Sequence, residues 1–194
     1  MKMAAEEQTP RVEARGWGLV TSLETSRHFS LSLTNKRSGF NGLSISKSGD
    51  VRKIEVKTVH KSDRWFAVNG LQGIERLFLD KDYWIYFSLL PENIVIVTHA
   101  LPFLRKQVRY NHADLDLSAE LKEWIDLTKR RSREFGLRFV PRIHLNVRVP
   151  IRRLLEQVLE KPDDPEWHSA VAEIWENKGK WRCLFRSPLE PGDD

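Results

Sequence analysis

The chain has 194 residues, 40% of them apolar and 30% charged, which suits a globular protein able to bury one sizeable core. A formal charge of +5 leans toward polyanionic partners. No run approaches the ~18 consecutive apolar residues of a membrane helix. The first residues, Met-Lys-Met-Ala-Ala-Glu-Glu, lack the apolar core of a signal peptide, and the single Cys183 excludes an internal disulfide framework or a cysteine zinc cluster. Together these predict a cytoplasmic, reducing, intracellular setting without membrane association.

After a flexible N-terminus over 1–10, a helix is expected from Arg11 to Thr25. Val12, Leu19, Val20 and Leu23 form its apolar stripe and Glu13 sits in its first turn. Phe29 to Thr34 alternates like a half-buried strand. A polar loop, Asn35-Lys36-Arg37-Ser38-Gly39-Phe40-Asn41, then enters a short strand over Gly42 to Ser46. Lys47-Ser48-Gly49-Asp50 reads as a tight turn, since Gly supplies positive φ and Ser and Asp supply local side-chain bonds. The partner strand, Val51 to Val59, carries Ile54-Glu55-Val56-Lys57.

Positions 55 and 57 of a strand share a face because side chains alternate with period two. A carboxylate and an ammonium are thereby presented side by side. The carboxylate can hold a divalent cation, and the lysine can orient a water or neutralise charge developing on a phosphate. The plain alternative is a same-face ion pair, worth ~0–1 kcal/mol when exposed.

Arg64 to Asn69 follows, then a short helix around Leu71 to Leu79. Two apolar strands come next, Tyr83 to Leu90 and Asn93 to Thr98, joined at Pro91-Glu92. Of the seven tryptophans, Trp17, Trp84, Trp124 and Trp175 lie on apolar faces and belong to the core. Trp65, beside Arg64, is the one placed for an exposed stacking contact.

The second half has a different texture. Leu117 to Glu134 fits a helix capped by Ser118, with Leu121, Trp124, Ile125 and Leu127 on its apolar side. Leu137 to Val149 alternates apolar and basic residues around Pro141, as an edge element does. A helix is expected from Pro150 to Glu160, a turn over Pro162 to Pro165, and a further helix over Glu166 to Lys178. Cys183 is expected to be a partly buried neutral thiol. From Lys129 to Arg153 nine basic residues face one acid, Glu134. Arginine dominates, and its planar donor fork suits phosphate. Arg130, Arg131, Arg133, Arg142 and Arg148, with Lys36, Arg37 and Trp65, are therefore the candidate nucleic-acid contacts.

The order helix, strand, strand preceded by a loop residue, strand with Glu-x-Lys, helix, strand resembles the core of the PD-(D/E)XK nuclease superfamily over roughly Arg11 to Thr98. Gly39-Phe40-Asn41-Gly42-Leu43 followed by Ile54-Glu55-Val56-Lys57-Thr58 is most similar to Holliday-junction-resolvase-like members and to NO VEIN C-terminal-like nuclease domains. The resemblance implies Lys57 as catalytic lysine and Glu55 as metal-binding carboxylate. It implies Glu13 as an additional metal ligand, and magnesium or manganese as cofactor. The family's second acid falls at Asn41, which offers a neutral carbonyl in place of a carboxylate. Asp50 is a nearby acid with an adequate role as a turn former.

The expectation is an α/β chain. A restriction-endonuclease-like core with a mixed sheet flanked by helices spans 11–110. A mostly helical, arginine-rich extension spans 111–188, with a flexible tail over 189–194. The implied function is metal-dependent DNA endonuclease activity. The alternative is a silent nuclease-fold module that binds nucleic acid or a protein partner. A homodimer, or a protein partner taken up by the C-terminal extension, is compatible with either.

Overall fold

The computed structural model describes residues 3–34, 38–60, 65–69, 80–109, 123, 126–127, 130, 144–148 and 150–189. Helix α1 (Met3–Ser26) leads into strands β1 (Ser30–Leu33), β2 (Gly42–Ile45) and β3 (Val51–Val59). Strands β4 (Trp65–Asn69), β5 (Tyr83–Leu89) and β6 (Ile94–His99) precede helix α2 (Ala100–Arg109). Then come β7 (His144–Arg148), helices α3 (Ile151–Glu160) and α4 (Pro165–Ala170), and strands β8 (Val171–Asn177) and β9 (Trp181–Arg186).

Seven strands form one mixed sheet in the order β1-β2-β3-β5-β6-β8-β9, and β4 and β7 pair separately. Only β3 and β5 run parallel within the large sheet; its other neighbours are antiparallel. The centre is β5, Tyr-Trp-Ile-Tyr-Phe-Ser-Leu, every residue of which is buried. Such an uninterrupted run is what a strand covered on both faces requires.

The two faces have separate cores. On one, Val20 and Leu23 of α1 pack with Ile54, Trp84, Tyr86, Val95, Val97 and Ala172. On the other, Val59, Ile85, Phe87 and Ile96 pack with Phe103 and Leu104 of α2, Ile151, Leu154 and Val158 of α3, and Trp167 of α4. Helix α1 sits close to the sheet because Gly16 has no side chain. A Cβ there would collide with Thr58 Oγ1 and come within 3.0 Å of Thr58 Cβ. The Gly16 carbonyl instead accepts a hydrogen bond from Ser88 Oγ at 3.2 Å.

The β2–β3 hairpin forms as its sequence predicts. Gly49 adopts φ +92°, and Asp50 accepts hydrogen bonds from Ser48 Oγ at 2.5 Å and Ser46 Oγ at 3.1 Å. The last third of the chain departs from expectation. The helix foreseen over Glu166 to Lys178 stops at Ala170, and Val171–Asn177 becomes a sheet strand. Pro165, with Asp164 Oδ1 accepting from the Glu166 N–H at 2.9 Å, starts the short α4. Glu173 and Glu176 flank the apolar positions Ile174 and Trp175. In the fold they are buried beside Arg27, Arg186 and Arg182, so a strand accommodates them. The C-terminal stretch is thus not the mostly helical appendage expected: β8 and β9 complete the main sheet.

Two smaller corrections follow. Leu127 is helical, as expected, but 44% exposed rather than part of an apolar face. Cys183 lies exposed on β9, where its Sγ donates to the Phe185 carbonyl at 3.3 Å. The expected helix around Leu71 to Leu79 falls outside the described residues, as does most of the one expected over Leu117 to Glu134; there Glu123, Asp126, Leu127 and Arg130 are helical. No described helix is long and apolar enough to cross a membrane.

Candidate functional site

The site lies where β2 ends and β3 continues. The last residue pair between them is Gly42 with Ile54. One residue earlier, the Asn41 N–H donates to the Ile54 carbonyl at 2.8 Å, and Asn41 Oδ1 accepts from the Val56 N–H at 3.0 Å. The Asn41 side chain therefore does for Val56 what a strand neighbour would do, satisfying a backbone donor that β2 no longer reaches. The approach to Asn41 is pinned from two sides. Thr34 donates through its N–H to the Asn41 carbonyl at 3.0 Å and through Oγ1 to the Phe40 carbonyl at 2.5 Å, and Tyr83 OH donates to the Gly39 carbonyl at 3.3 Å. Gly39 itself takes φ +75°, a conformation that favours glycine.

Glu55 and Lys57 share one face of β3, as the period-two argument requires, and their side chains meet, with Lys57 Nζ 2.6 Å from Glu55 Oε1. These side chains keep 28% and 14% of their surface, Lys57 the more open, so the pair is reachable from solvent. Asn41 is bonded to the residue between them. This face is the one that carries Val59, opposite α1, because Ile54 and Val56 pack on the α1 side. Glu13 is exposed on α1, across the sheet from the pair. Among the described residues no group of three or more His, Cys, Asp and Glu gathers as a metal cage.

Two further charged partners were not foreseen. Lys53, two residues before Glu55 on the same face, meets Asp80 Oδ2 at 2.6 Å, and Asp80 also accepts from the Asp82 N–H at 3.2 Å. In sequence Asp80-Lys81-Asp82 looks like a plain connector. The parallel pairing of β3 with β5, Lys53 opposite Tyr83, brings it to the site. The result is a row of alternating charge: Asp80, Lys53, Glu55, Lys57. Asp50 stays at the far end of the hairpin, where the hydroxyls of Ser48 and Ser46 hold its carboxyl below the ordinary carboxylate value.

Glu55 and Asn41 together offer a carboxylate and a carbonyl oxygen. Magnesium is commonly held by one or two carboxylates with substrate phosphate oxygens and waters completing an octahedron, and this donor set fits that mode. An aspartate at 41 would accept the same bond from Val56 and add a charge. Asn41 is thus sterically equivalent and electrostatically weaker.

Of the candidate nucleic-acid contacts, Arg130 is helical and exposed. Trp65 and Arg148, 83 positions apart in sequence, are directly paired across β4 and β7. Lys36, Arg37, Arg131, Arg133 and Arg142 lie outside the described residues. Compared with known proteins, the chain matches no family model, no curated protein and no solved structure.

Proposed function

We propose that this protein is a metal-dependent phosphodiesterase acting on DNA, with its chemistry at Glu55, Lys57 and Asn41. The observation that carries the reading is the Glu55–Lys57 contact of 2.6 Å on one face of β3, with Asn41 bonded to the intervening Val56. The order of elements supports it. A helix, two antiparallel strands, the Glu-x-Lys strand and then a strand parallel to it follow one another in the main sheet, with the residue of the missing acid just before β2.

In this reading Glu55 and Asn41 hold magnesium or manganese, which supplies Lewis acidity and charge neutralisation at the phosphate. With Glu55 engaged by the metal, Lys57 can turn its ammonium to the attacking water or to a phosphate oxygen. Lys53, held by Asp80, adds positive potential beside the scissile group without touching Glu55's ligand role.

The test is cleavage of plasmid and branched DNA with magnesium or manganese. The unmodified chain should cut, Lys57→Ala should lose ~10²–10³-fold, as deletion of one charge-stabilising donor does, and Asn41→Asp should cut faster. Chelation of the metal should stop all three. A second reading is favoured by one feature: with a neutral Asn41 the Glu55 carboxylate is already matched by Lys57, a closed arrangement suited to a module that binds without cutting. Absence of cutting by every variant, with DNA still bound, would establish that reading instead.

A further inference from the structure

The proposed reaction gives Glu55, Lys57 and Asn41 their tasks and uses Lys53 only as a nearby charge. Lys53 Nζ lies 2.6 Å from Asp80 Oδ2, and the two side chains keep 25% and 14% of their surface. The backbone already holds the Asp80-Lys81-Asp82 loop against β3 without this pair. The Lys53 N–H donates to the Asp82 carbonyl at 2.8 Å, and the Tyr83 N–H closes the turn on the Asp80 carbonyl at 3.2 Å. The Asp80 carboxylate is placed by the Asp82 N–H, which donates to its Oδ1 at 3.2 Å. Asp80 is therefore a positioned anion presented to an ammonium on a flexible four-carbon stem.

We propose that Lys53 and Asp80 form a binding site for the backbone phosphate next to the one that is cut, Asp80 standing in for that phosphate until DNA displaces it. The inference rests on the phosphodiesterase reading and deepens it, naming a second phosphate contact and the carboxylate that competes for it. Two observations carry it. The first is position. Lys53 and Glu55 are alternate residues on one face of β3, hence ~6.8 Å apart along the strand. That is of the order of the separation between neighbouring phosphates on one DNA strand. The second is access. Val51, the next residue out on this face, is 40% exposed, and its cross-strand partner Ile45 is 37% exposed. A DNA strand leaving the Glu55–Lys57 pair in this direction passes Lys53 over open surface.

The chemistry of the exchange fits both groups. A partly exposed ion pair contributes little to stability, so Lys53 can change partners with little loss. Its ammonium carries three N–H donors, which lets a phosphate oxygen join Asp80 before replacing it. A DNA phosphate also releases bound counterions when it meets the lysine, a gain that Asp80 does not bring. Once Lys53 has turned to DNA, the Asp80 carboxylate remains beside the phosphate and repels it. Asp80 thus lowers the affinity of the site for DNA, and it acts through Lys53.

The experiment is fluorescence anisotropy of the full chain with a 20-base-pair duplex over a series of salt concentrations, in chelator so that nothing is cut. Lys53→Ala should weaken binding about fivefold at low salt and reduce the slope of log affinity against log salt by about 1, whereas Lys53→Arg should keep both. Asp80→Asn, which retains an acceptor for the Asp82 N–H, should tighten binding about threefold, and that gain should vanish when Lys53→Ala is added. If Lys53→Ala does not fold, Lys53→Gln decides by the same criteria. Unchanged affinity and slope without the lysine would overturn the proposal. So would an equal gain from Asp80→Asn with and without Lys53, which would make Asp80 a general repulsive charge. In steady-state cleavage Lys53→Ala should raise KM more than it lowers kcat, the reverse of Lys57→Ala. Cutting that depends on Lys57, with binding and KM indifferent to Lys53, removes this inference alone. Binding that depends on Lys53 and is coupled to Asp80, without cutting by any variant, removes the phosphodiesterase alone. Absence of both binding and cutting overturns both.

Discussion

Two charge clusters occupy opposite faces of the same sheet, and they differ in almost everything except the residue types they use. On the α1 face, Glu24 is fully buried and accepts from Ser44 Oγ. Arg27 lies 3.5 Å from Glu24 and 3.0 Å from Glu173, and its guanidinium covers the Phe29 ring at 4.4 Å. The contact to Glu173 is an ion pair whose angles do not make it a hydrogen bond, and Arg27 Nε has no hydrogen-bond partner among the described residues. Glu173 in turn accepts from Trp175 Nε1 at 2.6 Å and faces Arg186 at 3.5 Å. Next to this cluster Arg52 stacks over Trp84 at 4.2 Å and donates to Tyr86, whose hydroxyl burial and the Glu24 charge push well above its ordinary pKa.

The β3 row on the other face holds shorter, simpler pairs that keep a share of solvent. The difference teaches that burial decides the role. Removing one member of the enclosed cluster strands a charge where water cannot reach it, so the cluster ties α1 to β8 and β9. The open row can lose a partner to water, to a cation or to a phosphate at little cost, which is what a working site needs.

The largest effect expected from this contrast is at Arg27. Arg27→Leu should cost ~3–5 kcal/mol by leaving the buried Glu24 without its ion-pair partner and Glu173 with only the more distant Arg186, measured by urea denaturation. A loss below ~1 kcal/mol would erase the distinction between the clusters. Gly16→Ala comes next. Its Cβ would collide with Thr58 Oγ1 and lie 3.0 Å from Thr58 Cβ; turning the Thr58 side chain relieves only the first contact, so α1 must also shift slightly, at ~1–3 kcal/mol. Lys57→Ala should change stability by no more than ~1 kcal/mol while slowing cleavage ~10²–10³-fold, and a large fall in melting temperature would mean that the open row is structural after all.

The smallest effect belongs to the hairpin turn. The Asp50 carboxyl is held below its ordinary value of 3.8. A depressed folded pKa adds stability that is present above the unfolded value and is lost as pH falls through the folded one. Asp50→Asn should therefore lower stability slightly at neutral pH and flatten the acid limb, the two proteins converging below about pH 4 as Asp50 becomes protonated. A shift at pH 7 of the same size as at pH 3 would assign the effect to turn geometry instead.

The β2–β3 hairpin was legible because everything that specifies it is local. Ser48-Gly49-Asp50 makes the turn, and alternation alone puts Glu55 and Lys57 on one face. Asn41 was legible as a site position from its place before β2, but not as the acceptor for Val56, since that bond joins residues fifteen apart. Asp80 was invisible for a similar reason: only the parallel docking of β5 on β3 brings it to Lys53. Val171–Asn177 was misread because Trp167, Val171, Ile174 and Trp175 fall at helical spacing and the intervening glutamates look wet. Their counter-charges come from Arg27, just after α1, and from Arg182 and Arg186 of β9.

The sequence by itself determined the hairpin, the side-by-side carboxylate and ammonium on β3, the buried central strand and the basic second half, because turn chemistry, period-two alternation and composition act within a few residues of one another. Tertiary structure alone decided that β8 and β9 join the main sheet, that Asp80 meets the site, that Trp65 and Arg148 are opposed on one ribbon, and that one ion cluster is sealed while the other is open. Those outcomes depend on which distant segments share a dielectric environment and a hydrogen-bond ladder, and no local pattern encodes that.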